Sequence, residues 1–249
     1  MLQQTQAARV IGPWTRFMAD FPTPTSCAQS PLDDVLRDWR GLGYHRRAKA
    51  LHDTARVLRD RYDGAVPRDV ELLRQLPGVG EYTAAAVACF AYAEPVAVLD
   101  TNVGRVLARA LANRKLGRAE ARELASALVP RSGAAAFNQA MLDLGAQFCR
   151  ARPNCAPCPV VGRCRWRREG GADPAPTSAA VSRPQSPFVG SRRQLRGRVL
   201  DVLRDGPATR RRLRERLGSV DPGRYDEVLD ALSRDGLVTF VGGRYALAR

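Results

Sequence analysis

The spacing of apolar positions along this chain is helical almost throughout. From Met1 to about Ala93 it predicts a series of helices separated by short loops at Pro22-Thr23-Pro24-Thr25, Ser30-Pro31 and Gly64 to Pro67, where proline and glycine break the period. Within that stretch Asp69 to Leu76 reads as one helix and Tyr82 to Ala91 as the next, with Pro77-Gly78-Val79-Gly80 between them. A second helical group runs from Asp100 to Phe148. Between Glu169 and Gly190 the chain turns rich in Pro, Ala, Ser and Gly and loses its periodicity, the composition of a linker. Residues 192–205, 208–217 and 222–235 then read as three helices, and 236–241 with 242–247 as a two-stranded hairpin. There is no internal repeat.

Two local features change this picture from architecture to chemistry. The run Leu76-Pro77-Gly78-Val79-Gly80-Glu81-Tyr82-Thr83-Ala84 joins two predicted helices through a Gly-x-Gly turn. Glycine permits backbone conformations that a Cβ forbids, and a helix opened in this way presents bare N–H groups to a phosphate. Val98-Leu99-Asp100-Thr101-Asn102-Val103 follows and sets a carboxylate at a helix start. Aspartate there is a favoured N-cap, and the helix terminus is expected to keep it ionised as well.

Charge points the same way but less sharply. The 249 residues carry a formal net charge of +15, which suits a polyanionic partner because clustered cations release counterions from a phosphate backbone. Only Lys49 and Lys115 are lysines against thirty-eight arginines, a skew that GC-rich coding produces without selection for DNA. No apolar run approaches the length of a membrane span and no signal peptide is visible, so a cytoplasmic protein is expected. Of the two histidines, His45 lies on a basic stretch and is expected at the surface or on a phosphate.

Cys149, Cys155, Cys158 and Cys164 have the spacing C-x5-C-x2-C-x5-C just after a predicted helix. In a cytosolic context this is a metal-site spacing and not a disulfide framework. Four thiolates suit zinc or a four-iron, four-sulfur cluster, and the spacing leaves both open. Cys27 and Cys89 have no partners at ligand spacing and read as core thiols.

The hairpin with its trailing aspartate resembles the helix-hairpin-helix DNA glycosylases related to endonuclease III. The wording of Met1-Leu2-Gln3-Gln4-Thr5-Gln6, Gly41-Leu42-Gly43-Tyr44 and Phe137-Asn138-Gln139-Ala140-Met141-Leu142-Asp143-Leu144-Gly145-Ala146 is similar to the A/G-mismatch adenine DNA glycosylases. The resemblance covers about residues 1–168. It implies a mainly α fold of two helical lobes: 1–93, a helix-hairpin-helix lobe incomplete at its N-terminus, and 94–168, carrying the cluster. A linker at 169–190 and a winged-helix-like domain at 191–249 complete the expected organisation, the last lying outside the resemblance.

The implied activity is base-excision repair: hydrolytic removal of adenine opposite 8-oxoguanine or guanine, without strand cleavage, by a monomer acting on double-stranded DNA in the nucleoid. Asp100 would stabilise the developing sugar cation, Asn102 would orient sugar or base, and Tyr82 stands where strand-cleaving relatives carry a Schiff-base lysine. Gln3, Gln4 and Thr5 would meet the partner base, and Tyr44 would wedge between bases. Gly78 and Gly80 would grip phosphate, as would Arg150 and Arg152 of the cysteine loop. The resemblance tips the metal to a 4Fe-4S cluster on the four cysteines, although the first gap is five residues where the family usually has six. In the family the proton donor is a glutamate two residues before the Met-Leu-Gln-Gln motif; the sequence given starts at that methionine, and a start further upstream is expected. Removal of thymine from T opposite G, on the same scaffold, and an inactive DNA-binding protein are the alternatives.

Overall fold

The computed structural model describes residues 1–249 except 4, 179, 180, 182–186, 219 and 220. Its helices in chain order are α1 (Ala7–Asp20), α2 (Pro24–Gln29), α3 (Leu32–Asp38), α4 (Arg46–Tyr62), α5 (Val70–Arg74), α6 (Glu81–Tyr92), α7 (Thr101–Val106), α8 (Arg118–Leu128), α9 (Ala134–Gln147), α10 (Arg165–Glu169), α11 (Arg192–Arg204), α12 (Arg210–Leu217) and α13 (Pro222–Arg234). Strands β1 (Val238–Val241) and β2 (Arg244–Leu247) close the chain. They pair antiparallel, Val238 opposite Leu247, around Gly242 and Gly243, both at positive φ, as a two-residue hairpin turn demands.

The elements form two compact units. One gathers Met1–Val66, Leu76–Gly78 and Ser186–Arg249; the other gathers Pro67–Gln75 and Val79–Gln185. The first is therefore built from both ends of the chain. Its core is continuous: Val10 and Phe17 of α1, Val35 and Leu36 of α3 and Trp39 belong to one buried cluster with Val199 and Leu203 of α11, Leu213 of α12, and Leu229 and Leu232 of α13. Polar contacts tie the same surfaces. Arg204, buried at the end of α11, donates to Leu36 O at 3.0 Å, and Asp235 accepts from both Arg46 and Arg196. Ala208 bridges to Tyr245 and adds a short third rung to the hairpin.

In the second unit Val103, Leu107 and Ala108 pack with Leu116, Ala121, Ala125 and Ala175. After α7 the helix widens into a π-helical stretch, Leu107–Ala112. Gly145 of α9 lies against the backbone of Asn102: a Cβ there would come within 2.5 Å of Asn102 O. The stretch expected as a linker is not uniform. Ala175 and Ser178 are buried because their small side chains fit into this core, Ser178 Oγ accepting from Leu116 N–H at 3.2 Å, while 179, 180 and 182–186 lie outside the described residues.

Candidate functional site

Asp100 sits at the head of α7 as its N-cap. Its Oδ1 accepts from Val103 N–H and its Oδ2 from Asn102 Nδ2, both at 2.8 Å. The segment leading to it is held by Asn138 of α9, which is buried and accepts from Val98 N–H at 2.8 Å while donating to Val96 O and Ala134 O at 2.9 Å. Burial raises Asp100 above the usual carboxylate range, and the hydrogen bonds from Val103 and Asn102 and the charge of Arg105 offset this only in part. Removal from water is thus the larger effect, and the hydrogen bonds at the helix terminus counter it. Tyr82, 41% exposed, is close enough for its own pKa to be raised by burial and then by Asp100.

Behind Asp100 a polar chain runs toward the cysteines. Asn102 Oδ1 accepts from Arg105 Nη2 at 2.6 Å; Arg105 donates in turn to Gly145 O at 3.0 Å and to Cys149 O at 2.7 Å. One helical turn on, Arg109 is fully buried and makes a two-pronged ion pair with Asp173 at 2.8 and 2.6 Å. Its remaining N–H groups reach Cys149 O, Arg150 O, Ala151 O and Cys149 Sγ. The five-residue gap is therefore closed around a guanidinium that gathers three successive carbonyls. Burial alone would depress Arg109, but Asp173 and Cys149 together raise it, and the ion is kept.

Cys149, Cys155, Cys158 and Cys164 all line one narrow, largely apolar space, with Val106, Leu144, Phe148 and Val160 among its walls. Among the described residues no three His, Cys, Asp or Glu side chains converge closely enough to hold a single ion. Arg150 and Arg152 are exposed on the loop between the first two cysteines.

The hairpin starts from α5, capped by Asp69, whose Oδ1 accepts from Glu71 and Leu72 N–H at 2.9 Å. Gly78 has φ +72 and stands so close to α4 that a Cβ would meet Ala50 Cβ at 2.5 Å. Gly80 differs from expectation. It is the N-cap of α6 with extended backbone, φ −89 and ψ 178, a conformation open to any residue; what its bareness leaves is open space before the helix. Glu81 faces Arg122 at 2.7 Å and Arg74 at 3.9 Å.

The other expected contact residues surround an arginine that sequence reasoning passed over. Arg47 of α4 donates to Met1 O at 3.0 Å, to Gln3 O, to Thr5 Oγ1 at 3.0 Å and to Leu42 O at 3.2 Å. It lies 5.4 Å from the centroid of Trp39 and 5.3 Å from that of Tyr44. Gly41, Gly43 and Tyr44 all have positive φ, a sharp turn that leaves Tyr44 37% exposed. Gln4 lies outside the described residues. His45, expected at the surface, is buried instead; burial and the charges of Arg204, Arg196 and Arg47 push it down to about 3. Arg47, Arg105 and Arg109 carried no distinct signal among thirty-eight arginines, except that Arg105 and Arg109 interrupt an apolar helix at i and i+4.

Residues 1–131 match the model of the HhH-GPD superfamily base excision DNA repair proteins. The adenine DNA glycosylase of Mycolicibacterium smegmatis is 46% identical over 100% of this chain and 85% of its own length. The chain belongs to the adenine DNA glycosylase family. Its human counterpart is 42% identical over 68% of this chain and 32% of its own length; the mycobacterial relative extends through the C-terminal residues as well. Among solved structures, a thermostable thymine-DNA glycosylase aligns with TM-score 0.63 at 30% identity, covering 68% of this chain and 80% of its own. A trapped endonuclease III–DNA covalent intermediate aligns with TM-score 0.60 at 29% identity, over 68% and 80%. The glycosylase scaffold is thus shared with proteins solved on DNA.

Proposed function

We propose that this chain hydrolyses the N-glycosyl bond of adenine paired with 8-oxoguanine or guanine, as a monomer, and leaves the strand intact. The observation that carries the reading is a half-buried carboxylate, Asp100, fixed by Val103 N–H and Asn102, with Tyr82 and not lysine beside it. As the glycosidic bond stretches, positive charge grows on the deoxyribose. A carboxylate already withdrawn from water stabilises that charge strongly and needs little reorganisation. Asn102 keeps one carboxylate oxygen aimed, and Tyr82 has no amine to form a Schiff base, so base removal is the end point.

The adenine must first leave the stack. Tyr44 enters the gap from its left-handed turn, and Gln3 and Thr5, organised by Arg47, approach the partner base together with Gln4. Gly78 and Gly80 keep side chains out of the way of a phosphate at the start of α6. Cys149, Cys155, Cys158 and Cys164 would hold a 4Fe-4S cluster; when bound it ties the loop together, so that Arg150 and Arg152 are presented to DNA. Residues 191–249 fit a winged-helix-like module.

One observation favours a second reading, removal of thymine from T opposite G: the likeness to the thymine-DNA glycosylase. Single-turnover incubation with duplexes carrying A opposite 8-oxoguanine, A opposite G and T opposite G, followed by alkali, separates the two. Alkali-labile sites at adenine, and no cleavage before alkali, are expected. Faster release of thymine than adenine would replace this reading with the second.

A further inference from the structure

The start of α11 folds against the turn that carries Tyr44. Ser191 caps the helix, accepting from Gln194 N–H at 3.2 Å, and its hydroxyl and N–H both donate to Phe188 O, at 2.6 and 3.0 Å. Gly190 N–H donates to Gln194 Oε1 at 2.7 Å, and Arg224 donates to Gly190 O. This bonding holds a tight turn, yet Phe188 is 57% and Val189 82% exposed. From the first turn of α11, Arg193 donates Nη1 to the Tyr44 hydroxyl at 3.3 Å and lies 6.0 Å from the Phe188 ring centroid. Arg47 meets the same Tyr44 ring.

A single exposed ring is ordinary by itself; here it stands beside Arg193, which also meets the Tyr44 hydroxyl. Rings offered beside arginines are the means by which proteins hold unstacked bases and their phosphates. The charge balance agrees: Glu227 pairs with Arg192 and Asp235 with Arg46 and Arg196, so these two carboxylates are met by three arginines. We propose that the Phe188–Arg193 turn is a second DNA-contact element, in which Arg193 binds a backbone phosphate while aligning Tyr44, and Phe188 packs on a nucleotide that Tyr44 has unstacked. The inference rests on the reading of Tyr44 as a wedge. It gives the C-terminal residues a part in grip on the duplex, next to the opening they help to hold.

The test uses the full chain and fluorescence anisotropy of a labelled duplex carrying A opposite G, beside the same duplex fully paired, between about 50 and 200 mM salt. Arg193→Gln is expected to weaken both duplexes about tenfold at the low end and to lower the slope of log K against log salt by about 0.9, the share of one phosphate contact. Arg193→Lys is expected to regain the slope. Phe188→Ala is expected to lose about fivefold or more on the mispaired duplex with the slope unchanged, as for a lost stacking contact. Both side chains lie outside the core, so melting curves should match the parent's. Parental affinity and slope in Arg193→Gln and Phe188→Ala would overturn the proposal while leaving Tyr44's role standing. Parental affinity in Tyr44→Ser would overturn the wedge reading, and this inference with it.

Discussion

Replacing Gly145 by alanine tests whether the close packing of α9 on α7 sets the position of the candidate carboxylate. The added Cβ would lie 2.5 Å from Asn102 O and 2.6 Å from both Asn102 C and Cβ, whereas carbon contacts settle at about 3.5–4.0 Å. Relief therefore needs roughly 1 Å of movement. The atoms met are mostly backbone, with no flexible end to swing away, which puts overpacking near the upper part of its usual range, about 3 kcal/mol. Alanine regains about 1 kcal/mol of helix propensity over glycine. The balance is a loss of about 2 kcal/mol, or roughly 4–8 °C in melting temperature for a chain of this size. Asn102 carries the displacement to Asp100 through their 2.8 Å bond, and a shift of about 1 Å at a reacting group costs about 100-fold in rate. Thermal melting, single-turnover excision and duplex affinity together read this out, with affinity expected to hold. A melting temperature raised by the propensity gain, with excision undiminished, would refute the reasoning, because α7 and α9 would then have slack.

Asp100→Asn is expected to abolish excision while keeping affinity for the mispair, since stabilising a sugar cation is a transition-state task; asparagine still caps α7, so any unfolding on substitution would contradict the assignment. The same variant has a pH signature. Asp100 is raised in the fold, which means its ionised form destabilises at pH values above its folded pKa, so Asp100→Asn should melt higher than the parent at pH 7, with the gap narrowing as pH falls toward about 4. Arg109→Gln breaks a buried ion pair and should cost about 3 kcal/mol or more, with iron per chain, measured by absorbance and metal analysis, falling alongside. Asp173 is lowered by Arg109 despite partial burial; its contribution is present above about pH 4 and is lost as pH falls through the folded pKa, so the variant's acid unfolding limb should be shallower. Gly78→Ala is strained by φ +72 and by Ala50 at 2.5 Å, and should cost about 2–4 kcal/mol, with duplex affinity dropping in parallel.

Much of the helical order was legible because it is local. Asp100 caps its helix as its residue type predicts, Asp69 caps the helix it was expected to begin, and the hairpin at Gly242-Gly243 follows from turn chemistry. What linear reading does not reach is long-range. Arg47, Arg105 and Arg109 act through backbone carbonyls up to 46 residues away in sequence, and a carbonyl has no sequence signature. His45 looked like a surface cation because its neighbours are basic; Arg204 and Arg196, which help to discharge it, come from the other end of the chain. Cysteine spacing marks a metal site without choosing the metal. The structure adds that the four thiols line one common space.

That the first unit draws on both ends of the chain has a consequence for biosynthesis. The second unit is contiguous from residue 79 to 185 and leaves the ribosome before the last element of the first has been made. At about 5–20 residues per second, Val35, Leu36 and Trp39 wait roughly 10–40 seconds for the leucines of α11 and α13 that share their cluster. The nascent N-terminal helices pass that interval with apolar surface uncovered, an invitation to chaperones, and a message cut short after the cysteine loop would release a polypeptide whose beginning had lost its lining.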